Sequence, residues 1–124
     1  MRDARQPEGI PVPKPPYSPV VLAGDLVFTA GQVAIDTSGQ IVAGGIAEQT
    51  RQAMSNLAAC LSAAGCSMDD VVKATVFLTD LGHFALVNKI MAEHFREPYP
   101  ARAAVGVASL PRGAQVEVEC IVAL

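Results

Sequence analysis

Tryptophan is absent from this 124-residue chain, and only 5% of its residues are aromatic. Since 51% are hydrophobic, the core has to be built from Val, Ala, Leu and Ile rather than from large rings. Charge is also sparse: 17% of residues carry it, with a net value of −3 at pH 7. No basic block and no basic–aromatic interleaving occurs, which argues against nucleic acid as the principal partner. No apolar run approaches the roughly 20 residues that span a bilayer, so no membrane partner is expected. The start, Met1-Arg-Asp-Ala-Arg-Gln-Pro-Glu-Gly, lacks the apolar segment of a secretory leader, and the expected location is the cytoplasm. The three cysteines (Cys60, Cys66, Cys120) form no CxxC pair, so reduced, partly buried thiols are expected. His83 and His94 have no second histidine or cysteine at ligand spacing, and no metal site is expected.

The length fits one domain, and the composition is apolar enough to bury surface between subunits. Pro7, Pro11, Pro13, Pro15 and Pro16 crowd the beginning. Residues 1–16 are therefore expected to be a flexible, extended arm without regular structure, with residues 17–124 as the domain. Tyr17 follows, either as a packing residue, the commoner role, or as a hydroxyl lining a site. Val20 to Ala23 and Leu26 to Ala30 flank Gly24-Asp25, which predicts a two-residue hairpin with a type II′ turn. Gly31 comes next, as a bulge or as a point of close backbone approach to a ligand. Gln40 to Val42 reads as a short third strand after a turn at Asp36 to Gly39.

Apolar or small residues at 46, 50, 53, 57, 61 and 64 recur at helical spacing, so the pattern predicts a helix over 46–64 with Gly65 as its left-handed stop. Gln49, Arg51, Gln52 and Ser55 are expected to face outward. Residues 71–79 read as a central strand, with Val72, Ala74, Val76 and Leu78 on one face. Phe84, Val87, Met91 and Phe95 form the stripe of a second helix over 84–95, with Asn88 one step off it. A strand at 101–108, a turn at Leu110 to Gly113 and an alternating strand at 114–124 complete the chain. The order β-β-β-α-β-α-β-β implies an α+β fold, one sheet with two helices on one face. The other face is left bare, and packing it against further copies is the natural remedy.

Two residues near the end carry chemistry. Arg102 is a cation that cannot deprotonate, set in an apolar strand after a proline turn, and suits an anchor for a carboxylate. Glu117, in the last strand with Glu119 on the same face, could order a water or serve a leaving nitrogen. An ion pair between Arg102 and Glu117 or Glu119 is the structural rival to that reading, and a solvated strand face is the bland account of the two glutamates.

The blocks Leu26-Val-Phe-Thr-Ala-Gly-Gln32, Glu48-Gln-Thr-Arg-Gln52 with Asn56-Leu57, Asp70-Val-Val-Lys73, Thr75-Val-Phe-Leu-Thr-Asp80, Phe84 with Val87-Asn88, Pro100-Ala-Arg102, Leu110-Pro111 and Val116-Glu-Val-Glu119 resemble, in order and spacing, the Rid family of YjgF-like, RidA-type imine deaminases. The resemblance spans nearly the whole chain. It implies a chorismate-mutase-like fold, a homotrimer whose sheets form a central barrel, and a cleft between subunits. It implies hydrolysis of reactive 2-imino and enamine acids, such as 2-aminoacrylate and 2-iminobutyrate, to 2-keto acids and ammonia, without a cofactor. Carried over by position, Arg102 grips the substrate carboxylate and Glu117 positions water. Tyr17, Gly31 and Asn88 line the pocket. Ala30 and Ala104 stand where the family often has Ser and Cys, which makes the wall smaller and less polar. The alternatives are a family deaminase with another catabolic substrate, aminomuconate- or aminoacrylate-like, and a trimeric small-ligand binder without activity.

Overall fold

A computed structural model describes residues 1–124. Its strands are β1 (Asp3–Arg5), β2 (Val20–Ala23), β3 (Leu26–Thr29), β4 (Val71–Leu78), β5 (Ala101–Gly106) and β6 (Val116–Ala123). The helices are α1 (Ile46–Ala63) and α2 (Phe84–Met91). All six strands join one sheet in the order β1-β2-β3-β6-β4-β5. Only β4 and β5 pair in parallel; the other neighbours are antiparallel. No helix is long and apolar enough to cross a membrane.

The placement of the helices follows from connectivity. β3 and β4 both run antiparallel to β6, so they are parallel to each other, and α1 crosses between them. α2 crosses between the parallel pair β4 and β5. Both crossovers step the same way along the sheet, so a single hand of connection puts both helices on the same face. That face holds the core: Val27, Met54, Leu57, Leu61, Val76, Leu78, Val87, Val116, Val118 and Val122 belong to one buried cluster. At the end of α1, Gly65 is left-handed (φ 77°) and the Cys66 N–H returns to the Leu61 carbonyl at 3.0 Å, which closes the last turn. Gly24 (φ 60°) supplies the positive φ that the first central residue of the β2–β3 hairpin needs.

The element order matches the expected β-β-β-α-β-α-β-β, but for a partly different reason. Gln40–Val42 forms no strand; Ile41 only bridges Ile35. The Asp36 carboxylate accepts the Ser38 and Gln40 N–H groups there, so those donors close a turn instead. The additional strand is β1, inside the arm that was expected to lack regular structure. The prolines start only at residue 7, so Asp3–Arg5 keep their N–H groups and cover the edge of β2. In β4 a bulge between Val71 and Lys73 switches the faces. Val71 is therefore buried and Val72 is 46% exposed, contrary to the simple alternation, while Ala74, Val76 and Leu78 face the core as expected. Gln49 also turns inward: its Oε1 accepts the Gln115 N–H at 2.9 Å ahead of β6. α2 stops at Met91, four residues early, although Phe95 still reaches the core. At the turn before β6, Arg112 is left-handed (φ 59°) and its Nη1 donates to the Gly39 carbonyl at 2.6 Å.

Candidate functional site

Glu117 and Gly31 meet where β3 ends. Gln32 and Val118 exchange both backbone hydrogen bonds, at 2.8 and 3.0 Å, so the chain after β3 stays beside β6. The pairing of Phe28 with Ile121 and then of Gln32 with Val118 leaves three residues opposite two. Ala30 and Gly31 thus lie in a bulge. Gly31 serves close approach as well, here to a protein side chain: a Cβ there would sit 2.6 Å from Glu117 Cδ and 2.8 Å from its Oε2. Only a residue without a side chain leaves the carboxylate this position. Burial raises the Glu117 carboxyl above its ordinary value, and the Glu119 charge raises it further. The Ala30 N–H donates to the Pro19 carbonyl at 2.8 Å, tying the end of the arm, with Tyr17 two residues earlier, to this bulge. Tyr17 itself is 56% exposed.

Arg102 belongs to a second group, on the edge strand β5. One turn into α2, the Asn88 side-chain oxygen accepts a hydrogen bond from Arg102 Nη1. The guanidinium also lies over the Phe84 ring, with Cζ 5.0 Å from the ring centroid. Beside them opens a cavity of about 370 Å³, walled by Arg102, Asn88, Ala74, Met91, Phe95, Tyr99 and Pro100. Ala104, two residues along from Arg102, is half-buried against the core. No ion pair forms at Arg102; the four in the chain are Arg5–Asp3, Arg51–Glu93, His83–Asp80 and Arg96–Asp69.

The two groups are not joined within one chain. Arg102 pairs with Ala74, which pairs with Cys120, and that row faces the helices. Glu117 pairs with Phe77, which pairs with Val105, and that row faces away. Side chains alternate across a strand, so Arg102 and Glu117 project from opposite faces of the sheet. The intrachain ion pair is thereby excluded. Ala30, Gly31 and Glu117 gather at the end of β3, with the Tyr17 backbone two residues from the Pro19 tied to Ala30; Asn88, Arg102 and Ala104 belong to the other side.

Residues outside the expected set also shape the site. Phe84 was expected in the buried stripe of α2, yet it is 36% exposed and turned to Arg102. Its spacing of four from Asn88 was the available signal. Tyr99 and Met91 also line the cavity. The thiols offer little chemistry: burial pushes Cys60 up to about 12 and Cys120 up to about 11. No cluster of three or more His, Cys, Asp or Glu side chains is arranged to hold a metal ion.

Residues 9–124 match the family model described as endoribonuclease L-PSP. A RutC family protein of Pyrococcus horikoshii is 46% identical over 98% of this chain and 97% of its own length. The human 2-iminobutanoate/2-iminopropanoate deaminase is 45% identical over 86% of this chain and 78% of its own. Among solved structures, RidA from an Antarctic Psychrobacter superposes with a TM-score of 0.93 at 41% identity, covering 99% of this chain and 100% of that one. Escherichia coli TdcF with bound serine gives 0.90 at 35% identity, covering 98% of both. With a sheet, helices and sequence blocks that agree over nearly their whole length, this chain belongs to the YjgF/Rid family.

Proposed function

We propose that the chain hydrolyses reactive 2-imino and enamine acids, such as 2-aminoacrylate and 2-iminobutyrate, to 2-keto acids and ammonia. One observation carries the reading: Arg102 is held by two neutral groups and paired with no carboxylate, so its remaining N–H donors are free for a substrate's. The relatives named as 2-iminobutanoate/2-iminopropanoate deaminases support the same chemistry.

The reaction asks for orientation more than for a strong nucleophile, because an iminium carbon is already electrophilic. Arg102 anchors the carboxylate. Glu117 orders a water and accepts its proton as the oxygen attacks the C=N carbon, forming a carbinolamine. The proton passes to the nitrogen, the C–N bond breaks, and ammonia leaves as the C=O forms. A raised carboxyl such as Glu117 suits this exchange better than a strongly acidic one. No step uses a thiol or a cofactor.

Opposite faces make this impossible inside one copy, so the reading includes assembly. In a homotrimer packed through the bare sheet face, Arg102, Asn88 and Ala104 of one copy would meet Tyr17, Ala30, Gly31 and Glu117 of the next. The exposed Leu26, Phe28 and Val105, each 40–42% exposed, support burial of that face. The acidic balance of the chain disfavours RNA as substrate, despite the name of the family model.

The test is to generate 2-iminobutyrate with a threonine dehydratase and follow semicarbazone formation. The wild-type chain should lower it, and Arg102→Ala should not. Full activity in Arg102→Ala would remove the assignment. Binding of 2-ketobutyrate without turnover would favour a ligand-binding role, and turnover confined to other imines would favour a different catabolic substrate.

A further inference from the structure

Phe84 opens α2, is 36% exposed and stands outside the buried core cluster. It is one of only four phenylalanines in the chain. Its ring instead carries the Arg102 guanidinium, 5.0 Å from Cζ to the centroid. Asn88, one helical turn later, accepts a hydrogen bond from the same guanidinium. Residues four apart on a helix share a face, so α2 presents an aromatic face and an amide oxygen to one cation.

We propose that Phe84 is a positioning residue: its π face, together with Asn88, holds the Arg102 guanidinium in the orientation that receives the substrate carboxylate. This rests on Arg102 being the carboxylate anchor. The choice of partners has a physical logic. A guanidinium offers five N–H donors, and a carboxylate beside it would occupy the fork and neutralise its charge. A π face attracts the cation without taking a donor. Asn88 takes one donor, through Nη1, and leaves the charge intact. Both holders are neutral, so the arginine is oriented yet not quenched. On an edge strand, where a long side chain has many rotamers, orientation is what the cation otherwise lacks.

The role can be read by replacing the ring and then its electrons. Phe84→Leu is expected to weaken 2-ketobutyrate binding and raise KM for 2-iminobutyrate by about fivefold, with kcat changed less. Phe84→Tyr should restore values near wild type. Site-specific incorporation of mono-, di- and trifluorophenylalanine at position 84 keeps the ring's shape while draining its quadrupole, and KM should climb stepwise along that series. Light scattering and thermal melts on each variant separate this from loss of assembly or fold. Should Phe84→Leu fail to fold, the fluorinated series decides alone. A flat KM across that series, with Arg102→Ala inactive, would overturn the role of Phe84 and leave the anchor standing. Full activity of Arg102→Ala would overturn the anchor and this role with it.

Discussion

The two faces of the sheet are built from the same strands and differ in what those strands expose. Toward the helices, β4 and β6 present Ala74, Val76, Leu78, Val116, Val118, Cys120 and Val122, none more than 3% exposed. Away from them, the same strands present Lys73, Thr75, Phe77, Glu117, Glu119 and Ile121, exposed or half-buried. The covered face is complete by itself, and no buried side-chain polar atom lacks a partner. The other face mixes apolar residues with two neighbouring carboxylates and is left uncovered in a single copy. Stability is thus concentrated on one side, while the proposed site draws on both: Arg102 projects from the covered face at its edge and Glu117 from the bare one.

The largest expected effect tests that split. Arg102→Ala and Glu117→Gln should each lose about 100-fold or more in kcat/KM, the scale of removing a charge-assisted contact and a general base. If each cleft draws its arginine and its glutamate from different copies, mixing the two inactive chains in equal parts under conditions that let subunits exchange should rebuild about a quarter of the clefts. Activity of the mixture would then rise to about a quarter of wild type. Mixtures that stay as inactive as their components would show that the two groups act within one copy, or not together at all.

Leu57→Ala probes the covered face. Leu57 is fully buried in the cluster beneath α1. Truncation leaves a cavity and should cost about 2–5 kcal/mol, read as a lower midpoint in urea with the slope unchanged. Below the transition, kcat/KM should stay at the wild-type value, because the residue touches neither half of the site. A proportional loss of activity in the still-folded protein would mean that the two faces are not independent.

Much of this architecture was legible in the sequence because periodicity reports burial directly. The stripe of α1, the core face of β4 from Ala74 onward and the alternation of β6 all come through. What escaped depends on single hydrogen bonds or on an inserted residue. Val72 is exposed because a bulge precedes Lys73, and Gln49 turns inward because the Gln115 N–H needs an acceptor. Asp3–Arg5 pair because an open strand edge lies beside them. For the site, the residue types and the family blocks pointed to Arg102 and Glu117, but local pattern could not show the parity across three strands that sends them to opposite faces.

Glu117 also separates stability from function. Its carboxyl is raised above the ordinary 4.5 by burial and then by Glu119. A raised acid is favoured in its protonated form by the fold, so its contribution is complete below pH 4.5 and is lost as pH rises through the folded value. At pH 7 the ionised group is therefore a cost to the single copy, and Glu117→Gln should melt slightly above wild type, the gain kept small because solvent screens a half-exposed carboxylate. The difference should vanish when both are melted below pH 4.5. In the wild type, activity should fall on the acid side at a pH above the ordinary carboxylate range. A stabilising effect that persists unchanged at low pH would point to packing rather than to the charge.

The smallest expected effect falls at Ala104. It shares a face with Arg102, two residues away, and lies half-buried against the core, so it probes the anchor side of the site without touching Glu117. The family resemblance implies a thiol where this chain has Ala104. Ala104→Cys adds one heavy atom two residues from the anchor, and water attack on an iminium carbon needs no covalent intermediate. The variant should therefore change kcat/KM by less than about threefold, which is under 1 kcal/mol. Its rate should also show no new limb where a thiol titrates, near pH 8.5 or above once partly buried. A tenfold gain in kcat with such a limb would place a thiol in the chemistry. An unchanged rate would leave orientation by Arg102, and a water held by the opposite face of another copy, as sufficient for the reaction.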